Sequence, residues 1–311
     1  MWEEIKGHQI QKRLLKKAIA EKKLAYAYLF SGHKGVGKTL MATQFATALL
    51  TDEMHETQAE RISKRIQENQ HPDFFQLEAE KESIKIGQVR NLTSKLQYHP
   101  LESTRKVVII KQAELLTESA ANALLKTLEE PPPQTHFILI TNLPYKVLAT
   151  IRSRCQHIRF SPLGESLVSK YLQKEKNIEA ETADQLAKIS QGSIGTAKEL
   201  DPRFIRSVIE RFQALSDKGS AADIIALSEE WARDEQTGLI LELLASWYRD
   251  LLYYQQTQDE HGLIYKEAKA AHVSNDYADK SLHSIMETRK LLHTTANKQL
   301  LFEQLLFTLK G

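Results

Sequence analysis

Eight consecutive residues of this 311-residue chain could do chemistry on a phosphate. Gly32-His33-Lys34-Gly35-Val36-Gly37-Lys38-Thr39 satisfies G-x-x-x-x-G-K-[ST] in full. Its glycines let successive backbone N–H groups turn inward around phosphate oxygens, and the helix expected to follow adds its N-terminal dipole. A lysine at position 38 reaches the β- and γ-phosphates, and a threonine at position 39 can ligate Mg²⁺. The candidate cofactor-binding residues are therefore Gly32, Gly35, Val36, Gly37, Lys38 and Thr39, and the cofactor they imply is ATP or ADP with Mg²⁺. No metal site is expected apart from that nucleotide, with Thr39 serving Mg²⁺ only when nucleotide is bound.

Hydrolysis needs more than a cradle. A carboxylate should follow a second strand to hold the metal's water shell, usually with a neighbouring glutamate to polarise the attacking water. After the apolar run Val107-Val108-Ile109-Ile110 the chain instead reads Lys111-Gln112-Ala113-Glu114. A lysine stands where a metal wants an anion, Gln112 cannot act as a base, and Glu114 comes two residues late. The alternative is that Asp73 or Glu78, beside Phe74-Phe75, supplies the carboxylate. Nucleotide binding without turnover is the expectation. A second charged segment, Ile151-Arg152-Ser153-Arg154-Cys155, carries guanidinium groups suited to a neighbour's γ-phosphate. On composition alone, solvated or salt-bridged surface arginines are the default reading.

The elements that must position these residues can be read from periodicity. Ile10 to Ala20 is helical, Ala25 to Phe30 is a buried strand running into the glycine loop, and Leu40 to Leu50 is an apolar helix. Phe74 to Leu77, Val107 to Ile110 and Phe137 to Thr141 are further strands. Between the last two, Glu118 to Glu130 is a helix stopped by Pro131-Pro132-Pro133. Strand, helix, strand at this spacing predicts right-handed crossovers and a parallel sheet, covered on both faces because its strands are apolar throughout. Pro162-Leu163-Gly164 reads as a hinge, followed by short helices to about Leu200. No proline occurs after Pro202, so the last third should be nearly all helix, its clearest stretch being Leu239 to Tyr254. The division expected is 1–162, an α/β P-loop domain with a three-layer parallel sheet; 163–202, a small helical lid; and 203–311, an all-helical domain.

Composition narrows the class. Hydrophobic residues at 41% and charged residues at 26% exclude wholesale disorder, and a net charge of +2 argues against a purely electrostatic nucleic-acid binder. Residues 1–50 nevertheless carry nine basic and three acidic side chains, a net of +6. The lysines at 12, 16, 17, 22 and 23 with Arg13 could attract a DNA backbone, although a solvated helix face is the default. The single Cys155 excludes a disulfide framework. No signal pattern or membrane-length apolar run is evident, so a cytoplasmic protein is expected. The eleven histidines show no metal-binding spacing.

Lys106 to Pro132, then Phe137 to Thr141 and Ser153-Arg154-Cys155, resembles the bacterial DNA polymerase III clamp-loader family, and within it the delta-prime group. Asn122 to Pro131 is the most specific string, with His71-Pro72-Asp73 and Ala25 to Phe30 as further matches. The likeness covers residues 1–200 and thins to helical character over the last hundred. It implies an AAA+ module with a helical collar, assembled with gamma or tau and delta subunits into a hetero-pentamer. Sliding clamp and primer-template DNA are then partners through the complex, with no membrane involved. The subunit would be a comparatively rigid stator within the polymerase holoenzyme, a nucleotidyltransferase complex, with little ATPase activity of its own. Carried over by position, Arg154 is the catalytic residue, an arginine finger acting in trans. Thr141 or Asn142 stands at the sensor 1 position, Thr141 being counted with the nucleotide contacts, and Gly195 stands where active relatives carry a sensor 2 arginine. Residues 51–71 lack the four cysteines many members use for zinc, so no zinc is expected. The competing readings are an active gamma/tau-like ATPase using Glu114 or Asp73, and a small-molecule P-loop kinase, which the helical last third disfavours.

Overall fold

Strands apolar on both faces must be covered on both, and the chain supplies helices to each side. The computed structural model describes all residues except Met1, Glu53, Ala271, His272, His293 and Gly311. These pack as two compact units, Met1–Val168 with Gln191–Thr196, and Ser169–Ser190 with Ala197–Gly311.

The first unit is built on five parallel strands: β1 (Ala27–Gly32), β2 (Phe74–Leu77), β3 (Lys106–Ile110), β4 (Thr135–Thr141) and β5 (Gln156–Phe160), in the order β2-β3-β4-β1-β5. Around them lie α1 (Gln9–Ala20), α2 (Lys38–Leu50), α3 (Glu56–Gln67), α4 (Ile86–Leu96), α5 (Glu118–Glu129) and the single turn α6 (Ala149–Arg152). One face of the sheet sets Tyr28, Phe30, Ile109, Ile138 and Ile158 against Leu15 of α1, Met41, Phe45 and Leu49 of α2, and Ile62 and Ile66 of α3. The other sets Leu29, Val108, Ile110, Phe137 and Leu139 against Val89 and Leu92 of α4, Leu124 of α5 and Ile151 of α6. Each such fully buried side chain contributes about 1.5–3 kcal/mol, so the two layers fix the register of the sheet between them. This is the three-layer α/β architecture expected.

Three elements escape a reading based on apolar runs. Strand β5 is an edge, with only Ile158 and Phe160 buried while His157 and Arg159 face solvent. Its border is covered by α1, whose Gln11 Nε2 donates to the Arg159 carbonyl at 2.6 Å. Helices α3 and α4 are polar enough that their narrow buried stripes are invisible without the sheet they cover. The alternative role for Asp73 is overturned. It lies at the N-terminal end of β2, opposite the phosphate-loop end of the sheet, and is fully buried. Its carboxylate accepts the backbone N–H groups of Leu101 (2.7 Å), Glu102 (2.8 Å) and Ser103 (2.8 Å). His71 Nδ1 in turn accepts the Asp73 N–H at 3.2 Å, so His71-Pro72-Asp73 organises the connection into β3.

Helices α7 (Glu165–Lys176), α8 (Ala180–Ile189) and α9 (Ile194–Glu199) lead on to α10 (Pro202–Lys218), α11 (Ala221–Arg233), α12 (Thr237–Thr257), α13 (Asn275–Leu291) and α14 (Lys298–Lys310). The last third is helical as composition requires. Asp201 caps α10 ahead of Pro202, a Ser220/Asp223 capping box opens α11, and Ser274 caps α13. The stripe Ile240, Leu243, Leu244, Trp247 and Leu251 of α12 is buried core. Trp247 packs on Tyr265, and Trp231 of α11 on Phe302 of α14.

The buried Asp73 carboxylate gives a direct stability prediction. Asp73→Ala strips three backbone donors of their acceptor and should cost about 3 kcal/mol or more, read as a lower urea midpoint. A loss under about 1 kcal/mol would show that other contacts hold the 101–103 connection.

Candidate phosphate-binding site

Strand β1 ends at Gly32 and α2 begins at Lys38, so the eight-residue motif spans the end of the strand, the turn at 33–37 and the first two residues of the helix, with Gly37 as N-cap. Gly35 (φ 75°) and Gly37 (φ 104°) occupy left-handed conformations that side-chain-bearing residues rarely adopt. A Cβ on Gly37 would meet nothing within 4 Å, so the loop opens onto space at the N-terminus of α2. Lys38 is only 4% exposed. Its ammonium donates to the carbonyls of Gly32 (2.7 Å) and His33 (2.6 Å) and to Asn142 Oδ1 (2.8 Å). Burial pushes its pKa down to about 8, an effect opposed by the charge of Glu114. Thr39 is exposed on the first turn of α2.

Of the two residues left open at the end of β4, the structure separates the roles. Thr141 is buried and its hydroxyl accepts the Leu143 N–H at 3.0 Å, shaping the turn. The side chain of Asn142 is the one that reaches Lys38. Glu114 joins them because Gln112, in the left-handed region at φ 50°, turns the chain into a 3-10 segment, Ala113–Leu115. Its Oε1 accepts the Asn142 N–H at 3.1 Å, while its Oε2 is buried without a hydrogen-bond partner. Glu78 instead pairs with Lys111 at 3.1 Å, so the lysine in the acid's place is itself neutralised.

Three segments distant in sequence brace the loop from outside. His8 Nε2 bonds the Val36 carbonyl at 2.8 Å, its ring lying edge-on to Phe160 at 4.9 Å. The Gly195 N–H donates to the Gly35 carbonyl at 2.9 Å, and a Cβ on Gly195 would lie 2.6 Å from the Gly35 Cα. A side chain on Gly32 would strike the Phe160 carbonyl. The residues present fit a phosphate-bearing ligand: left-handed glycines around open space, a helix N-terminus and a buried ammonium. Among the described residues, no group of three or more His, Cys, Asp or Glu could hold a metal ion unaided.

Arg154 lies apart from this cluster in sequence, just after α6. Its Nη1 donates to the Thr150 carbonyl at 3.0 Å and its Nη2 pairs with Glu129 at 2.5 Å, both side chains partly exposed. Beside it the Cys155 thiol is pushed up to about 12 by burial, which makes it a packing group. The N-terminal lysines are largely engaged within their own unit. Lys12 is buried on the Ile5 carbonyl, Lys16 lies 5.6 Å over the Trp2 ring, and Lys17 and Lys23 pair with Glu21. No described helix is long and apolar enough to cross a membrane.

Family models match two stretches of the chain. A family model for the DNA polymerase III delta subunit matches residues 7–164, and one for the C-terminal part of that subunit matches 205–311. DNA polymerase III subunit delta' of Bacillus subtilis is 31% identical over 331 residues, covering 99% of this chain and 98% of that protein. The delta' subunit of Pseudomonas aeruginosa is 34% identical over 249 residues, covering 77% and 75%. The tau subunit of Bacillus subtilis is 27% identical over 297 residues, covering 85% and 52%.

The buried ammonium predicts a pH signature. With its folded pKa near 8 and its unfolded value near 10.5, Lys38 releases its proton first in the folded chain. Between about pH 8 and 10.5 the unfolded chain holds the extra proton, so stability from this group rises with pH across that window. Urea midpoints at pH 7.5 and 9.5 should therefore shift in favour of wild type over Lys38→Ala at the higher pH. A pH-independent difference would mean that Lys38 is charged as easily in the fold as outside it.

Proposed function

The chain belongs to the DNA polymerase III delta-subunit family of clamp-loader proteins, and from that premise we propose that it acts as a delta-prime-type stator. In this reading it takes part in ATP-dependent loading of a sliding clamp onto primed DNA, without hydrolysing ATP itself. The observation that carries it is an intact phosphate loop on a sheet whose β3 is followed by a Lys111–Glu78 ion pair, in the place where a hydrolytic site holds its metal-binding acid. The subunit works beside gamma or tau and delta in a hetero-pentamer, and reaches clamp and primer-template DNA through that complex. The three-part division at 162 and 202 belongs to this reading. In it, the short helices α7 to α9 form the small lid.

The chain's own residues have separable tasks. Loop amides and Lys38 would hold the terminal phosphates of ATP or ADP, Thr39 would ligate Mg²⁺, and Asn142 keeps the lysine aligned through its amide oxygen. Mg²⁺, when bound with nucleotide, neutralises phosphate charge. Glu114 steadies Asn142 through the backbone N–H and offsets the cost of keeping Lys38 charged. Arg154 acts elsewhere, on the γ-phosphate held by a neighbouring ATPase subunit. An exposed pair such as Arg154–Glu129 is worth about 1 kcal/mol or less, so the guanidinium can exchange it for a bidentate phosphate contact at little cost. The unpartnered Glu114 oxygen favours a second reading, an active gamma/tau-like ATPase in which that carboxylate serves the metal.

ATP turnover separates the two. The isolated chain should show negligible turnover. In the loader reconstituted with gamma or tau and delta, Arg154→Ala should reduce hydrolysis at one site by about tenfold or more. Robust turnover by the isolated chain, lost in Lys38→Ala, would favour the gamma/tau-like reading instead.

A further inference from the structure

We propose that His8 and Gly195 are positioning residues that set the phosphate loop from outside, by gripping the carbonyls of two successive peptide units. The inference rests on the nucleotide-binding reading above and assigns these two residues to it. A trans peptide is planar, so the C=O of one residue and the N–H of the next point in opposite directions. Gly195 N–H holds the Gly35 carbonyl at 2.9 Å, which turns the Val36 N–H the other way. His8 holds the Val36 carbonyl at 2.8 Å, which does the same for the Gly37 N–H. Each of two consecutive amides is thereby aimed away from its own brace, within a loop whose left-handed Gly35 and Gly37 suit the N–H nest an anion requires.

Each grip is built for its task. A carbonyl only accepts, so His8 Nε2 must carry the hydrogen; burial, helped by the nearby Lys12 and Lys38, holds the ring's pKa below its ordinary value against the opposing effect of the Val36 hydrogen bond. His8 itself sits in the left-handed region at φ 54°, a conformation that costs energy in a non-glycine residue and recurs where a side chain must be aimed. Its carbonyl accepts from Lys12 N–H at 3.0 Å, tying the strained residue to the first turn of α1. Phe160 closes the ring from the other side and also backs Gly32. At Gly195 the donor is a backbone N–H that any residue owns, but the approach to Gly35 admits only a hydrogen as side chain. The position therefore trades any side chain for a backbone grip on the loop. The segment is anchored in turn, since Leu163 N–H donates to the Gly192 carbonyl at 2.9 Å.

The test uses the full chain with two readouts. Hydrogen exchange of the peptide spanning residues 31–39 reports the loop directly, and equilibrium binding of ADP, with adenosine as the phosphate-free comparison, reports its use. His8→Ala and Gly195→Ala should each speed exchange of the loop amides and weaken ADP binding, both by about tenfold, while leaving adenosine binding unchanged. His8→Gln, which restores an N–H donor, should return both readouts to near wild type. Gly195 has an ordinary helical φ and alanine favours helix, so any loss there comes from the close approach. If exchange in both alanine variants equals wild type, the proposal is wrong, whatever happens to ADP. If wild type fails to bind ADP yet loop exchange rises in both variants, the grip stands and the nucleotide reading falls. Equal losses with His8→Gln and His8→Ala would overturn the assignment of His8 as a donor.

Discussion

A primary ammonium buried at the C-terminal end of a parallel sheet is the constraint on which the site depends. An isolated charge there would be prohibitively costly, so it persists only because acceptors surround it. Two come from the loop itself, Gly32 and His33, and the third from Asn142 at the end of β4. That third acceptor ties the site to sheet register. Ser31 pairs with Thr141, which delivers Asn142 beside the loop, and a one-residue slip would both remove the amide and turn the apolar faces of β4 inside out. The packing of the two helix layers and the chemistry of the loop therefore demand the same alignment.

Much of this was legible before any coordinates. The motif is local, its glycines announce left-handed backbone, and the runs at 74–77, 107–110 and 137–141 lie within or coincide with strands, fully buried in the last two and buried at both ends of the first. Pro131-Pro132-Pro133 ends α5 one residue sooner than expected, at Glu129. The absence of proline after Pro202 correctly foretold helix, because a helix interior tolerates almost any other residue.

What stayed hidden depends on contacts distant in sequence. Nothing about a histidine at position 8 shows that its ring meets a carbonyl 28 residues on. Gly195 reads as a missing arginine until Gly35 is seen against it. The choice between Thr141 and Asn142 turns on which side chain leaves the strand end toward Lys38. Glu114 looked two residues late because the left-handed turn at Gln112 cannot be read from a glutamine. Asp73 is the converse case: a carboxylate beside a strand suggested metal chemistry, and its three backbone donors, which no local pattern reveals, give it a structural task instead.

The border of β5 has a consequence for how such a chain joins others. A free strand edge offers a ladder of unpaired backbone groups to any extended segment that meets it. Here His157 and Arg159 project into solvent along that edge, and Gln11 of α1 already occupies the Arg159 carbonyl. The sheet is thereby closed to recruitment of a sixth strand on this side. A neighbour on this side meets helix and loop side chains, contacts that can be broken and remade without unzipping a backbone ladder.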